Sequence, residues 1–215
     1  MTPNGFTALP QADLILASSS VTRRQMLARA GVSHICHPVS VDEGAMRDAA
    51  LADGMPPADI AVMLAEVKAA AASQQRSADR TAYVLGCDQI LSADHGLVNK
   101  PSDLAMARDQ LLALSGKTHR LLTAAVLFRD GQRIWHHLAT ARLTMRVFDA
   151  EFVDAYLAAL GDDALISPAS YQIEGLGAQL LAGIDGCHYS ILGLPLLELL
   201  AFLREHGMAP RGTAP

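Results

Sequence analysis

Apolar positions in this chain follow two rhythms. Short unbroken runs, such as residues 14–17 and 83–85, have the length and composition of buried strands. Longer stretches with apolar residues three and four apart have the period of helices. The first run stops at Ser18, Ser19 and Ser20 and feeds a helix whose first turn holds Arg23 and Arg24. Residues 32–41 read as extended, ending near Asp42 and Glu43. Pro56 and Pro57 introduce a strong helix over 58–74, with Ile60, Met63, Leu64 and Val67 on one face and Lys68 beside that face. The strand 83–85 is expected to close at Gly86, and 90–92 to pair with 97–99 through the turn 93–96. A helix over 103–114 is ended by Gly116. Two long strands, 119–128 and 133–147, then join through the turn at Arg129-Asp130-Gly131-Gln132. Residues 150–160 form an amphipathic helix with Phe152, Val153, Tyr156 and Leu160 on one side. Residues 170–177 and 178–181 read as strand, turn and strand, and a helix over 196–204, opened by Pro195, closes the chain. Alternating helices and strands with an antiparallel excursion define a mixed α/β class.

Composition narrows the function classes. The chain has 215 residues, 51% hydrophobic and 18% charged, which suits a buried core. Residues 13–207 read as one domain between irregular segments 1–12 and 208–215. A net charge of −5 argues against a general nucleic-acid or membrane-surface binder, and leaves room for a small anionic ligand held by a local Arg/Lys cluster. Met1 to Asp13 shows no basic stretch followed by an apolar one, and no apolar run approaches ~18 residues. Cys36, Cys87 and Cys187 lack paired metal spacing and read as reduced thiols, so a cytoplasmic protein is expected.

Several residues invite chemistry. A strand that ends in small residues and opens a helix presents backbone N–H groups to an anion, and Arg23 adds a fork suited to phosphate. A serine cap with a solvated first turn is the plainer alternative. Asp88, in Gly86-Cys87-Asp88-Gln89, is a lone acid among Val84, Leu85, Ile90 and Leu91, and needs a partner or a cleft. Asp42, Glu43 and Asp88 together would suit a hard divalent ion, whereas a turn or cap and a loop charge are the alternatives for the first two. Lys68 and Lys100 would neutralise a polyphosphate, or serve as a snorkelling helix lysine and an edge-strand lysine. Ser115-Gly116-Lys117-Thr118 lacks the earlier glycine of a phosphate loop and reads as a helix C-cap. Glu174-Gly175-Leu176-Gly177 reads as a tight turn with one polar side chain facing a pocket. His119, His136, His137 and His188 lack metal-ligand spacing.

Taken in order, ASSSVTRRQML, VDE, LAEVKA, LGCDQIL, NKP, SGKTH, YQIEGLGA and ILGLPLLELL resemble the Maf family, the septum-formation-inhibitor-like nucleoside triphosphate pyrophosphatases, over about residues 14–204. The resemblance implies a Maf/inosine-triphosphatase-like α/β fold: a mixed sheet flanked by helices, two lobes around a central cleft, often as a homodimer. It also implies hydrolysis of a nucleoside triphosphate to monophosphate and pyrophosphate with Mg²⁺ or Mn²⁺. By position, Asp88 resembles the family's proton acceptor, and Ser18, Arg23, Glu43, Lys68 and Lys100 its pocket residues. Glu43 and Asp88 would hold the metal, and Asp88 would either take the water's proton or orient a metal-bound water.

Three positions bear on the substrate. The family's ASxSPRR reads ASSSVTRR here, so Thr22 replaces the Arg of the branch acting on dTTP and UTP, while the 7-methyl-GTP branch usually has Trp there. Gln89 and Glu174 match the 7-methyl-GTP branch. A carboxylate at Glu174 would accept hydrogen bonds from guanine N1–H and its amino group. The alternatives are a dTTP/UTP pyrophosphatase and a nucleotide-binding regulator of septum formation with little turnover.

Overall fold

The first apolar run forms the strand β1 (Leu14–Leu16), all three residues of which are buried. The computed structural model describes residues 14–75 and 82–209. β1 lies between two parallel neighbours, β2 (Ile35–Cys36) and β3 (Tyr83–Ala93), with Ile15 opposite both Ile35 and Val84. Parallel neighbours need crossover connections. Helix α1 (Val21–Arg29) supplies the first, and α2 (Glu43–Ala52) with α3 (Pro57–Gln74) the second. The extended segment expected over 32–41 contracts to the two residues of β2. Helix α2 escaped the hydrophobic pattern because it buries only Ala50; the Asp42 side chain caps it, accepting from Ala45 N at 2.9 Å.

Gly86 corrects another expectation. β3 runs unbroken through it for 11 residues, so Asp88 stands in mid-strand and not at a strand end. A Cβ at Gly86 would fall 2.0 Å from Ala65 O and 2.8 Å from Ala69 N. The glycine is needed for close approach of α3, not for a turn. For the same reason the buried stripe of α3 is Ile60, Ala61, Leu64, Ala65, Lys68, Ala69 and Ala72, rich in small residues. Met63 and Val67, expected on the core face, instead line a groove with Phe128 and His136.

Beyond β3 come β4 (Gly96–Val98), antiparallel to it, α4 (Leu104–Leu114), β5 (Thr118–Arg129) and β6 (Gln132–Met145). The β5–β6 hairpin turns on Asp130 and Gly131, both with positive φ (52° and 77°), as a two-residue connection demands. Helix α5 (Ala150–Leu160) follows as expected. The strands expected over 170–181 are instead 3₁₀ turns, Pro168–Ser170 and Leu176–Leu180, leading into β7 (Leu181–Asp185). Ala169 and Ser170 both take φ of 54°, and a Cβ on Gly177 would lie 2.5 Å from Gln172 O, so this stretch folds back on itself. The short helix α6 (His188–Ile191) and α7 (Leu196–Glu205) complete the order.

The seven strands form one mixed sheet in the order β2-β1-β3-β5-β6-β7, with β4 beside β3. Within the span read as one domain, the chain makes two compact units. Among the described residues, the first takes those up to Gln89, Thr123–Ala139 and those from His188; the second takes Ile90–Leu122 and Thr140–Cys187. Leu14, Leu16, Leu27, Leu85, Leu127, Leu199 and Phe202 anchor the core of the first unit. Met208 and Ala209, expected to be irregular, are buried in that core. Residues 1–12 and 210–215 of the expected tails lie outside the described residues. Among the described residues no helix is long and apolar enough to cross a membrane.

Candidate active site

The polar groups of the first unit converge on β3 because the small-residue contact at Gly86 brings α3 down onto it. Two residues beyond Gly86, Asp88 lies on the same face of the strand, and Lys68 lies one turn beyond Leu64 and Ala65 in the buried stripe of α3. Lys68 Nζ donates to Asp88 Oδ1 at 2.7 Å and pairs with Glu43 Oε2 at 2.8 Å. The Lys68 and Asp88 side chains are 10% and 9% exposed, whereas that of Glu43 is 46% exposed. The sequence left Asp42 open between ligand and turn or cap, and Glu43 between ligand and loop charge. In the structure Asp42 is the cap, and the helix it starts delivers Glu43 to the lysine.

Burial pushes the Asp88 carboxyl above its ordinary range; the positive charges of Lys68 and Arg23 pull the other way, and Glu43 adds to the rise. A carboxyl held above its ordinary range is a better proton acceptor than a free one.

Arg23 is anchored from three directions. Its Nε donates to Gly193 O at 2.7 Å, and its Nη1 donates to Cys87 O at 3.1 Å and to Ser18 Oγ at 3.3 Å. Ser18 Oγ also accepts from Ser20 N at 3.2 Å, and Ser20 Oγ caps α1 by accepting from Arg23 N at 3.3 Å. The Arg23 guanidinium has five N–H donors, so the Nη2 pair remains beyond these contacts. The Cys87 side chain is fully buried, and burial raises its thiol to about 11, which marks it as packing and not a nucleophile.

Of the residues singled out from sequence, Ser18, Arg23, Glu43, Lys68 and Asp88 thus form two connected groups in the first unit, which also holds Thr22 and Gln89. Thr22 is half-buried in the first turn of α1. Lys100 and Glu174 are exposed and belong to the second unit. Sequence reasoning missed Thr123 and Gly193. For Thr123 the signal was a single hydroxyl inside the apolar run Leu121-Leu122-Thr123-Ala124-Ala125, whereas the +102° φ of Gly193 shows only in the structure. Among the described residues no three His, Cys, Asp or Glu side chains cluster as a metal site. Glu43 and Asp88 nevertheless converge on one cationic centre, the Lys68 ammonium.

A buried acid bridged to a lysine, beside an arginine held at a helix start, places a proton acceptor and cationic donors in one unit of the chain. The sequence profile of the family described as Maf-like protein matches residues 13–206, and the chain belongs to that family. It is 46% identical over 193 residues to a nucleoside triphosphate pyrophosphatase of Paramagnetospirillum magneticum, covering 90% of this chain and 98% of the relative. It is 47% identical over 194 residues to a 7-methyl-GTP pyrophosphatase of Mesorhizobium japonicum, covering 90% and 96%. A 7-methyl-GTP pyrophosphatase of Brucella abortus is 44% identical over 192 residues, covering 89% and 95%.

Proposed function

We propose that this chain is a nucleoside triphosphate pyrophosphatase that favours 7-methyl-GTP, cleaving it to the monophosphate and pyrophosphate. The observation that carries the reading is the buried Asp88 carboxylate 2.7 Å from Lys68, whose ammonium also meets Glu43. Asp88 Oδ1 accepts from Lys68, which leaves Oδ2 to take the proton of a water attacking the α-phosphorus. The new P–O bond forms as the bond to the β-phosphate oxygen breaks. Arg23 and Lys68 hold the triphosphate and stabilise the charge that develops on it. Lys100 joins them on the strength of its sequence motif.

The family resemblance supports a divalent ion as well. Glu43 and Asp88 fit one in type. Both are hard oxygen donors, and they point at a single positive centre. Two carboxylates are what Mg²⁺ or Mn²⁺ takes when phosphates and waters complete its shell. When bound, the ion supplies neutralisation of the phosphate oxygens. The preference for 7-methyl-GTP rests on the pattern Thr22, Gln89 and Glu174 and on the relatives that bear that name.

The test is pyrophosphate release from 7-methyl-GTP, GTP, dTTP, UTP and CTP with Mg²⁺ or Mn²⁺. Turnover is expected to peak at 7-methyl-GTP, and Asp88→Asn to lower kcat/KM by roughly 10²- to 10⁴-fold while nucleotide binding persists. A peak at dTTP or UTP overturns the base preference. No release from any triphosphate overturns the enzyme.

A further inference from the structure

Asp88 and Gln89 are sequence neighbours with opposite outlooks. Successive side chains on a strand point to opposite faces of its sheet. Asp88 meets α3 on one face, and Gln89 meets the end of α6 on the other. Gln89 Nε2 donates to Thr123 Oγ1 at 2.8 Å, to Ser190 O at 2.9 Å and to Ile191 O at 3.0 Å. An amide nitrogen has two hydrogens, so these three acceptors consume both. The Thr123 hydroxyl, wholly buried, donates in turn to Ser190 O at 2.8 Å.

The carbonyls held this way belong to the last residues of α6, where a helix leaves its acceptors unsatisfied. The chain that follows is tied to the same point: Gly193 N donates to Ser190 O at 3.0 Å. Gly193 O then accepts from Arg23 Nε at 2.7 Å. The fit there is tight, since a Cβ on Gly193 would lie 3.3 Å from Arg23 Nε and its φ of +102° disfavours any side chain. Every step of this path lies within the first unit.

We propose that Gln89 and Thr123 are positioning residues: they fix the end of α6, and through the Gly193 carbonyl they aim the Arg23 guanidinium at the triphosphate. The amide nitrogen of Gln89 makes these contacts, and through them Gln89 acts on the phosphate end of the substrate. The proposal rests on Arg23 being a triphosphate clamp, as argued under the proposed function.

The experiment is steady-state kinetics on 7-methyl-GTP, GTP and UTP for Thr123→Val, Thr123→Ser, Gln89→Leu and Arg23→Ala. Thr123→Val is expected to raise KM about five-fold, the worth of one hydrogen bond, by the same factor for all three nucleotides and with little change in kcat, and Gln89→Leu to raise KM at least as far. Thr123→Ser, which keeps the hydroxyl, restores KM, and Arg23→Ala raises it further. A general loss of packing would not be rescued by serine or confined to KM. If Thr123→Val shifts the ratio between nucleotides, the end of α6 serves the base and the proposal falls. An unchanged KM in both variants, with Arg23→Ala still impaired, also sinks it and leaves the clamp standing. An unchanged KM in Arg23→Ala removes the clamp and the proposal together. Should Thr123→Val fail to fold, the half-exposed Gln89 carries the KM test.

Discussion

The two units bury polar groups in different ways. In the first, Lys68 and Asp88 form an ion pair that is almost wholly out of water, and the buried hydroxyl of Thr123 is bonded to its neighbours. In the second, the buried polar contacts pair neutral groups. His119 Nε2 and the Tyr171 hydroxyl lie 2.6 Å apart, and Tyr156 Oη donates to Ser170 O at 2.9 Å. Each unit also buries oxygens without a partner, Ser170 Oγ in the second and Ser190 Oγ in the first. Burying an ion pair is costly, and a well-packed apolar pair often does as well for stability. Such a pair is therefore retained where chemistry needs the charges, whereas neutral contacts serve where only packing is at stake. On this basis the proposed reactive groups belong to the first unit.

Removing one charge should expose that difference most strongly. Lys68→Met strands the buried Asp88 and should cost about 3 kcal/mol, the scale for breaking a buried pair from one side. Lys68→Met combined with Asp88→Leu should cost less than Lys68→Met alone, because no charge is left uncompensated. Urea unfolding followed by Trp135 fluorescence checks this, since the sole tryptophan packs against the core of the first unit. Equal losses in the single and double variants would mean that the pair carries no such tension.

The second unit should respond to pH instead. Burial lowers the His119 pKa from 6.5 to about 4, so the folded state prefers the neutral ring. The unfolded chain binds the proton more readily, so stability from this group is present at neutral pH and is lost as pH falls from about 6.5 towards about 4. Between about pH 7 and about pH 5 the loss should be about 2 kcal/mol. His119→Phe should flatten that slope, seen as opening free energies in β5 and α5, taken from hydrogen exchange corrected for its intrinsic pH dependence, that no longer fall in acid. An unchanged slope in His119→Phe would move the pH dependence to other groups.

Much of this was legible beforehand, and the gaps have physical causes. Helix α3 and the hairpin turn at Asp130-Gly131 follow from local period and turn chemistry, and the candidates Ser18, Arg23, Glu43, Lys68 and Asp88 were named before their contacts were seen. Gly86 misled because a glycine in a strand signals either a break or a close approach, and only the partner helix decides. Helix α2 was invisible because its residues are mostly exposed and carry no apolar stripe. The turns at 168–180 depend on two non-glycine residues with positive φ, which nothing local announces. The Gln89–Thr123–Ser190 contacts join residues 34 and 101 positions apart, beyond any local pattern.

The smallest effect gives the sharpest comparison, because one chemical change can be made in both units. Asp42 caps α2 in the first unit by accepting from Ala45 N at 2.9 Å, and Asp149 caps α5 in the second by accepting from Phe152 N at the same distance. Replacing either aspartate by alanine removes one hydrogen bond to a helix start and should cost about 1 kcal/mol. The consequences for activity should differ. Glu43 is the first residue of α2 and is held against Lys68, so fraying that helix loosens a group of the site. Asp42→Ala should therefore lower kcat/KM several-fold, whereas Asp149→Ala, equal in stability loss, should leave it unchanged. Pyrophosphate release and thermal unfolding measured on both variants decide the point. Equal activity losses would show that the site answers to stability in general, and that Glu43 has no place of its own in it.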